Sequence, residues 1–507
     1  MKRVFILVII MGLLMVQFTS AQEEITVNLN GQTLEFDTPV EIVNDRTMVP
    51  VGVIFEALNL KVSWDDQLRR VTAKSDDLEI ILDIDSDVAY VNKEAVKIDA
   101  PAYIKDNRTM VPLRFVSEST GAQVGWNNAT RTVDISMNQL SYKIVDTGVE
   151  TFFTDNSKVS YISEGQAFYG QDAHYSSNEP SYIDNGDGTV TDQVTGLMWQ
   201  QTMDAKMTYE DAVKYANEST LGGYDDWRIP TIKELFSLIL FTGSSSGEAA
   251  DTLYIDTDYL DQPIGDTSIG EREIDSQVWS STLYVGETMK GDDTVFGVNF
   301  VDGRIKGYGM YDHRRRTDNK GYFRLVRGNE SYGENIFVDN GDGTISDLAT
   351  GLMWQMADDG QTRDWEDALS YAESLDLAGY DDWRLPDVKE LQSIVDYTKS
   401  LQTTNSPAID DLFVLTEIKD PNGEANYGFY WSSTTHQDGR NLADSASYVA
   451  FGEAQGEMFG ELLDVHGCGA VRSDPKSGNA SDYPDYIGPQ GDIRYVYNYV
   501  LAVRTID

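Results

Sequence analysis

Asp184, Asp187 and Asp192 lie close together, and Asp339, Asp342 and Asp347 repeat the arrangement. Carboxylates so placed could bind calcium. An EF-hand loop, however, puts oxygens at every second position and a glutamate at the twelfth. Counting from Asp184, positions three and five are glycines and position twelve is Thr195. The same residues suit tight turns, because Asn-Gly and Asp-Gly supply the positive φ that hairpins need, and the turn reading is preferred. Histidine offers little more. His174, His313, His436 and His466 have no metal-ligand spacing, and His466-Gly467-Cys468 is a single Cys-His neighbour pair. Ser280-Ser281 and Ser432-Ser433 lack a histidine at a matched position, so no nucleophile–base pair is repeated.

Two side-chain sets remain as candidates for ligand contact. His313-Arg314-Arg315-Arg316 is the one basic cluster, and Arg314, Arg315 and Arg316 could hold an anion. Trp199, Trp227, Trp279, Trp354, Trp383 and Trp431 could stack on sugars, yet they sit in apolar strand-like runs. Burying one indole removes ~150–250 Å² from water, worth at most about 4–6 kcal/mol, and these six read as core. Trp365 aligns with Tyr209 at the start of a helix and is expected to be partly exposed, which makes it the second ligand candidate.

These residues sit in a chain organised by duplication. Between Asp184–Gln200 and Asp339–Gln355, 13 of 17 positions are identical. Gly223-Tyr224-Asp225-Asp226-Trp227-Arg228-Ile229-Pro230 returns as Gly379-Tyr380-Asp381-Asp382-Trp383-Arg384-Leu385-Pro386, and Trp279-Ser280-Ser281-Thr282 as Trp431-Ser432-Ser433-Thr434. A period this long is a domain duplication, since solenoid repeats run about 20–50 residues. The blocks predict local structure. Tyr182-Ile183, Val190 and Leu197-Met198-Trp199 belong on paired strands. Thr231 with Glu234, and Asp387 with Glu390, are capping boxes, and Thr208 and Asp364 cap an earlier helix in each copy. Asp225-Asp226 and Asp381-Asp382 read as loop ends next to an arginine. The copies differ at 242–274 and 464–492, where long loops rich in small and polar residues are expected to carry specificity.

Upstream, 24–138 has its own internal echo. Arg46-Thr47-Met48-Val49-Pro50 recurs as Arg108-Thr109-Met110-Val111-Pro112, and Val62-Ser63-Trp64 as Val124-Gly125-Trp126. A helix-like stretch follows each proline. The first residues, with Lys2 and Arg3, the apolar run 4–16 and Thr19-Ser20-Ala21, form a secretory signal ending at residue 21. The apolar run is too short to span a membrane, which takes ~20 residues, so the mature chain is expected to be exported without membrane insertion. The formal net charge of −45 disfavours nucleic acid and anionic lipid. It leaves calcium as the one ion that the acidity keeps open, and no residue demands another cofactor. Cys468 is alone, so no intramolecular disulfide forms.

The repeated Arg-Thr-Met-Val-Pro with its later Trp-Asp or Trp-Asn turn resembles the copper amine oxidase N-terminal-like (stalk) domain, which implies a non-catalytic extracellular module. Copper chemistry is not implied, because this segment has no histidine. The Asp-Gly-Thr hairpin, Thr-Gly-Leu-Met-Trp, Trp-Arg-Ile/Leu-Pro, Lys-Glu-Leu and Trp-Ser-Ser resemble the Lcl C-terminal domain family. That resemblance implies a C-type-lectin-like fold and adhesion, including to sulfated polysaccharide, although the acidity departs from what a sulfate-binding surface needs. The expected fold class is therefore α+β: an α+β stalk-like module at 24–138, then two lectin-like domains at 139–328 and 333–507, each closed on itself. The expected function is non-catalytic binding at the cell surface, with a glycan or extracellular protein as partner. The alternatives are a structural component of the cell envelope, or a carbohydrate-active enzyme using paired carboxylates.

Overall fold

The computed structural model describes residues 25–506 except 30–31, 35, 37, 44–45, 59, 75–77, 99, 107, 121, 128–129, 137–141, 248, 290 and 489. The expected signal at 1–21 lies outside the described residues, as do Asp45 and Asn107 just before the repeated Arg-Thr-Met-Val-Pro segments. The chain divides into two compact units, Met1–Met137 and Asn138–Asp507.

In the first unit the repeated segment pairs with itself. Arg46–Pro50 and Arg108–Pro112 run antiparallel, with Met48 opposite Pro112, Val49 opposite Val111 and Pro50 opposite Met110. A local two-fold axis thus passes between Val49 and Val111, and both Met-Val-Pro triplets are buried. Each proline ends its strand, and a seven-residue helix follows: α1, Val51–Ala57, and α2, Leu113–Ser119. A five-stranded antiparallel meander from Lys61 to Lys97 and a four-stranded sheet built on Thr26–Leu29 and Thr132–Ser136 complete the unit.

The second unit holds both copies of the longer repeat, and they are not separate bodies. Each copy does close a small four-stranded sheet of its own. Tyr182–Asp184, Thr189–Asp192 and Met198–Gln200 pair in order, and Val326–Arg327 returns to Trp199. Phe337–Asp339, Thr344–Asp347, Leu352–Gln355 and Val503–Thr505 repeat this. Beyond that the copies share a six-stranded sheet, three strands from each. Arg304–Gly309 of the first copy meets Val471–Pro475 of the second at Ile305 and Val471. One apolar core runs through both copies, with Trp199, Leu235 and Phe236 beside Trp354, Leu391 and Val395.

The helices place a second link at this junction. The first copy carries α3, Tyr209–Glu218, and α4, Ile232–Ser237; the second carries α5, Trp365–Glu373, and α6, Val388–Ser393. Both capping boxes form as the sequence expects. Thr208 and Asp364 cap α3 and α5. The lysines of the two Lys-Glu-Leu motifs then cross over. Lys233 Nζ donates to the Ser393 carbonyl at the end of α6, at 2.6 Å. Lys389 Nζ donates to the Ser237 carbonyl at the end of α4, at 3.0 Å. Each cation thus meets carbonyls that a helix end leaves unpaired. The void left between them, about 10 Å³, has room for no more than one water.

The stretch before the first copy docks on the second. Phe152, Ile162 and Phe168 join Trp365, Trp383 and Trp431 in one core cluster. Gln171 clamps this strap by bonding the Phe153 N–H and the Phe153 and Phe168 carbonyls. An independent first domain would have kept its own lead.

The α+β expectation is corrected. Among the described residues there are six α-helices, none longer than ten residues, and strands dominate. The strands are short because Gly-, Asn- and Asp-based turns interrupt them, as at Gly186 and Gly188, both with positive φ. The capping boxes fix where helices begin but say nothing of their length, and the apolar alternation between turns builds sheet.

The crossing lysines give a test. Lys389→Met leaves the Ser237 and Asp146 carbonyls, both bonded by Nζ at 3.0 Å, without their donor. Urea unfolding should show a loss of about 2–4 kcal/mol, and Lys233→Met should cost a similar amount. A change below about 0.5 kcal/mol in both would contradict the crossing link.

Candidate functional site

The repeated motifs are occupied with holding the fold. Arg228 grips Glu234 through two bonds of 2.7 and 2.5 Å, and Arg384 grips Glu390 at 2.6 and 2.5 Å. Each glutamate also closes its capping box. The indole N–H of Trp227 donates to the Leu221 carbonyl, and that of Trp383 to the Leu377 carbonyl. Asp226 pairs with Arg327, and Asp382 with Arg504, each at 2.6 Å, so the loop-end aspartates do meet an arginine, though one distant in sequence. Ser280 and Ser432 donate to the Phe296 and Ser447 carbonyls and are fully buried. The turn carboxylates accept turn donors: Asp184 takes the Gly186 N–H, and Asp187 the Thr189 N–H and hydroxyl. Asp339 and Asp342 repeat this.

Three of the four histidines and the cysteine are also structural. His174 packs against Phe152 and Tyr169 inside the strap. His436 reaches the Asp302 carbonyl across the two copies, and His466 bonds Asp492 at 2.8 Å. Burial pushes both imidazoles down to about 4. Cys468 is buried, and burial first, then Asp464, raises its thiol far above the ordinary range.

Trp365 is fully buried, contrary to the expected partial exposure. Its indole N–H donates to the Ser432 carbonyl at 2.8 Å, and Lys476 Nζ lies 4.1 Å from the ring centre. The strap covers it through Phe168, and a ring so enclosed cannot stack on an external sugar.

The arginine cluster is at the surface. Tyr311–Asp312 pairs with Thr317–Asp318, and residues 313–316 form the hairpin tip. Asp312 builds the turn by accepting the N–H groups of Arg314 and Arg315 at 2.8 and 2.9 Å. Its carboxyl is held below the usual range by those two bonds and the nearby guanidiniums. The backbone donors are spent, and all three arginine side chains are exposed, with Arg315 Nε 3.6 Å from Asp312 Oδ2. A second hairpin tip, from the other copy, lies beside them. Phe459, 62 % exposed, sits between Gln455–Met458 and Glu461–Asp464, and the Arg314 guanidinium is 6.0 Å from its ring centre. Tyr311 is also exposed and packs edge-on to His313. The result is a basic, aromatic surface on an acidic protein, made from both copies. The sequence reading missed Phe459 and Tyr311. The turn pattern around Gly460 was legible, but the meeting of two hairpins distant in sequence was not.

One pocket holds carboxyls fit for acid–base work. About 570 Å³ lies between the strap and the second copy, lined by Asp172, Arg384, Asp387, Glu390 and Ser433. Burial raises Asp172 to about 7, with help from Asp146 and Glu390, and burial also raises Asp387. Both are already engaged. Asp172 accepts the hydroxyls of Thr147 and Thr434 at 2.9 and 2.6 Å, and Asp387 accepts the Lys389 and Glu390 N–H groups. The first copy has Thr231 where the second has Asp387, so the pair is not repeated.

Two outcomes are expected. Trp365→Ala should destabilise the protein by about 3–5 kcal/mol and leave ligand affinity of the folded fraction unchanged; lost affinity at unchanged melting temperature would contradict its burial. Asp172 in the folded state keeps its proton up to about 7, against 3.8 when unfolded. The folded state therefore binds more protons across that window, and wild-type stability falls as pH rises through it. Asp172→Asn removes that slope, so the variant should gain on the wild type from acid to neutral pH. A stability difference that does not change with pH would contradict the assignment.

Residues 28–135 match the copper amine oxidase N-terminal domain family. Residues 188–327 and 343–463 match the Lcl C-terminal domain family, which agrees with the duplication at 184–200 and 339–355. No curated protein matches the chain. The two Lcl segments together take in more than half of the 507 residues, and the chain belongs to the Lcl C-terminal domain family.

Proposed function

We propose that the protein is an exported, non-catalytic binding protein that holds a glycan or an extracellular protein at the cell surface. The observation that carries this reading is the division of labour in the second unit. The repeated motif residues are consumed by the scaffold, while Arg314, Arg315, Arg316, Phe459 and Tyr311 are presented outward at two adjoining hairpin tips. Loops set on a rigid scaffold are the usual place for binding residues. The adhesion implied by the family resemblance supports the same reading.

The surface favours an anionic group, such as sulfate on a polysaccharide, because guanidiniums pair with such oxygens in a fixed planar geometry. The remainder of the chain opposes a polyanion through its net charge of −45. Binding is therefore weak, confined to the tips and screened by salt.

The test is to titrate a sulfated polysaccharide into the wild-type protein and into Arg314→Glu/Arg315→Glu/Arg316→Glu. The wild type should bind at low salt and lose roughly tenfold in affinity at about 0.3 M salt. The triple variant should not bind at either. Equal binding by the two proteins, or salt-resistant binding by the wild type, would overturn the reading.

A further inference from the structure

Lys233 does more than meet a helix end. Its Nζ lies 2.8 Å from Oδ1 of the Asn335 side chain, besides bonding the Ser393 and Gly333 carbonyls. The amide carbon of Asn335 is one bond, about 1.2 Å, beyond that oxygen. The lysine stem passes close by Gly333, where a Cβ would meet its Cδ at 2.8 Å, so the amine is held against the segment that carries Asn335. The amide nitrogen of Asn335 faces the other way. Nδ2 donates to Asp347 Oδ2 at 2.8 Å and to the Tyr142 hydroxyl at 3.3 Å. The reverse orientation of the amide would set its NH2 against the lysine and its oxygen against the carboxylate, so the neighbours fix it. Asp347 is fully buried, with the Ile336 and Ala349 N–H groups on Oδ1 and the Thr350 hydroxyl on Oδ2. An amine, a side-chain amide and a carboxylate thus stand in a row.

Two further features suit this row to react. Burial lowers the Lys233 ammonium to about 8, against the opposing pull of Asp347, Asp396 and Glu334, which brings the neutral, nucleophilic amine within reach of neutral pH. The carboxylate touches the nitrogen that would have to leave, which is where a proton donor is needed. The first copy offers a comparison. Pro180 stands where the second copy has Asn335, so the matching position gives Lys389 no side-chain amide. Lys389 bonds the Asp146 and Ser237 carbonyls instead.

We propose that Lys233 and Asn335 join as an isopeptide cross-link between the two copies. The neutral amine attacks Asn335 Cγ, and a C–N bond forms. Asp347 takes a proton from the attacking nitrogen and passes it to Nδ2. The Cγ–Nδ2 bond breaks, ammonia leaves, and the carboxylate ends as it began. The contact that docks the lysine as a cation is also the one that presents it as an amine, and holding both groups in place lowers the barrier to a step that is slow in water. The two residues are 102 positions apart, and closing a loop that long restricts the unfolded chain strongly. The cross-link stands apart from the hairpin tips and from any binding there.

The test is peptide mapping by tandem mass spectrometry of the whole folded protein, after incubation at mildly alkaline pH. A branched peptide joining Lys233 to Asn335, one ammonia lighter than its two arms together, should account for most of the chains. Ammonia loss elsewhere, as at Asn185-Gly186 or Asn340-Gly341, leaves linear peptides, and ammonia loss found only there would overturn the proposal. So would linear, unmodified Lys233 and Asn335 peptides from the folded wild type. Asn335→Leu should lack the branched peptide. Refolded Asp347→Asn should form it roughly a hundredfold more slowly than the wild type, and an equal rate would overturn the role given to Asp347. The wild-type map decides the cross-link by itself, whether or not a variant folds.

Discussion

Lys233 and Lys389 each place an ammonium at the end of a helix that belongs to the other copy. Burial disfavours the charge on both, and each is lowered to about 8. Such a group is tolerable only where acceptors surround it. Lys233 finds three: the Ser393 and Gly333 carbonyls and Asn335 Oδ1. Neither copy could supply those acceptors to its own lysine. The requirement to satisfy two buried cations therefore fixes how α4 and α6 meet. The joining of Ile305 to Val471 in the six-stranded sheet and the common core follow from the same arrangement.

This constraint also decides what is left for function. Motif residues that would invite a catalytic reading in isolation are committed within each copy. The serines brace strands, the turn carboxylates hold backbone N–H groups, and the paired arginines and glutamates set the helix starts. His436 bridges to the Asp302 carbonyl of the other copy, and Asp438 accepts from Arg304 at 2.7 Å. The binding proposed for the second unit therefore uses surfaces that the junction brings together rather than the motifs. The tip of one copy's hairpin beside that of the other is such a surface.

Much of the local structure was legible in the sequence. The Asn-Gly-Asp-Gly turns, the capping boxes at Thr231 and Asp387 and the buried Trp199 and Trp354 follow from nearest-neighbour chemistry and apolar runs, and the structure has them where expected. Three features were not legible. Alignment with Tyr209 made Trp365 look exposed, yet the strap from 142–180 lies over it, and no local pattern announces a segment that docks on the later copy. The fold class was misjudged because caps and family resemblance gave weight to helices that are six to ten residues long. The independence of the copies was misjudged because a lysine in Lys-Glu-Leu looks like any solvated helix charge until its partner helix is known.

The first unit repeats the theme on a smaller scale, with Arg46–Pro50 and Arg108–Pro112 paired about their own local axis. In both units a duplicated segment is completed by its own copy. The claim that the two longer copies are one cooperative body is tested most directly by native-state hydrogen exchange in rising urea. The amides of Thr294–Asn299 and Arg304–Gly309 should exchange with the same free energy and urea dependence as those of Ser445–Ala450 and Val471–Pro475, because they open together. Exchange of one copy's strands through an opening that leaves the other copy's strands protected would contradict it.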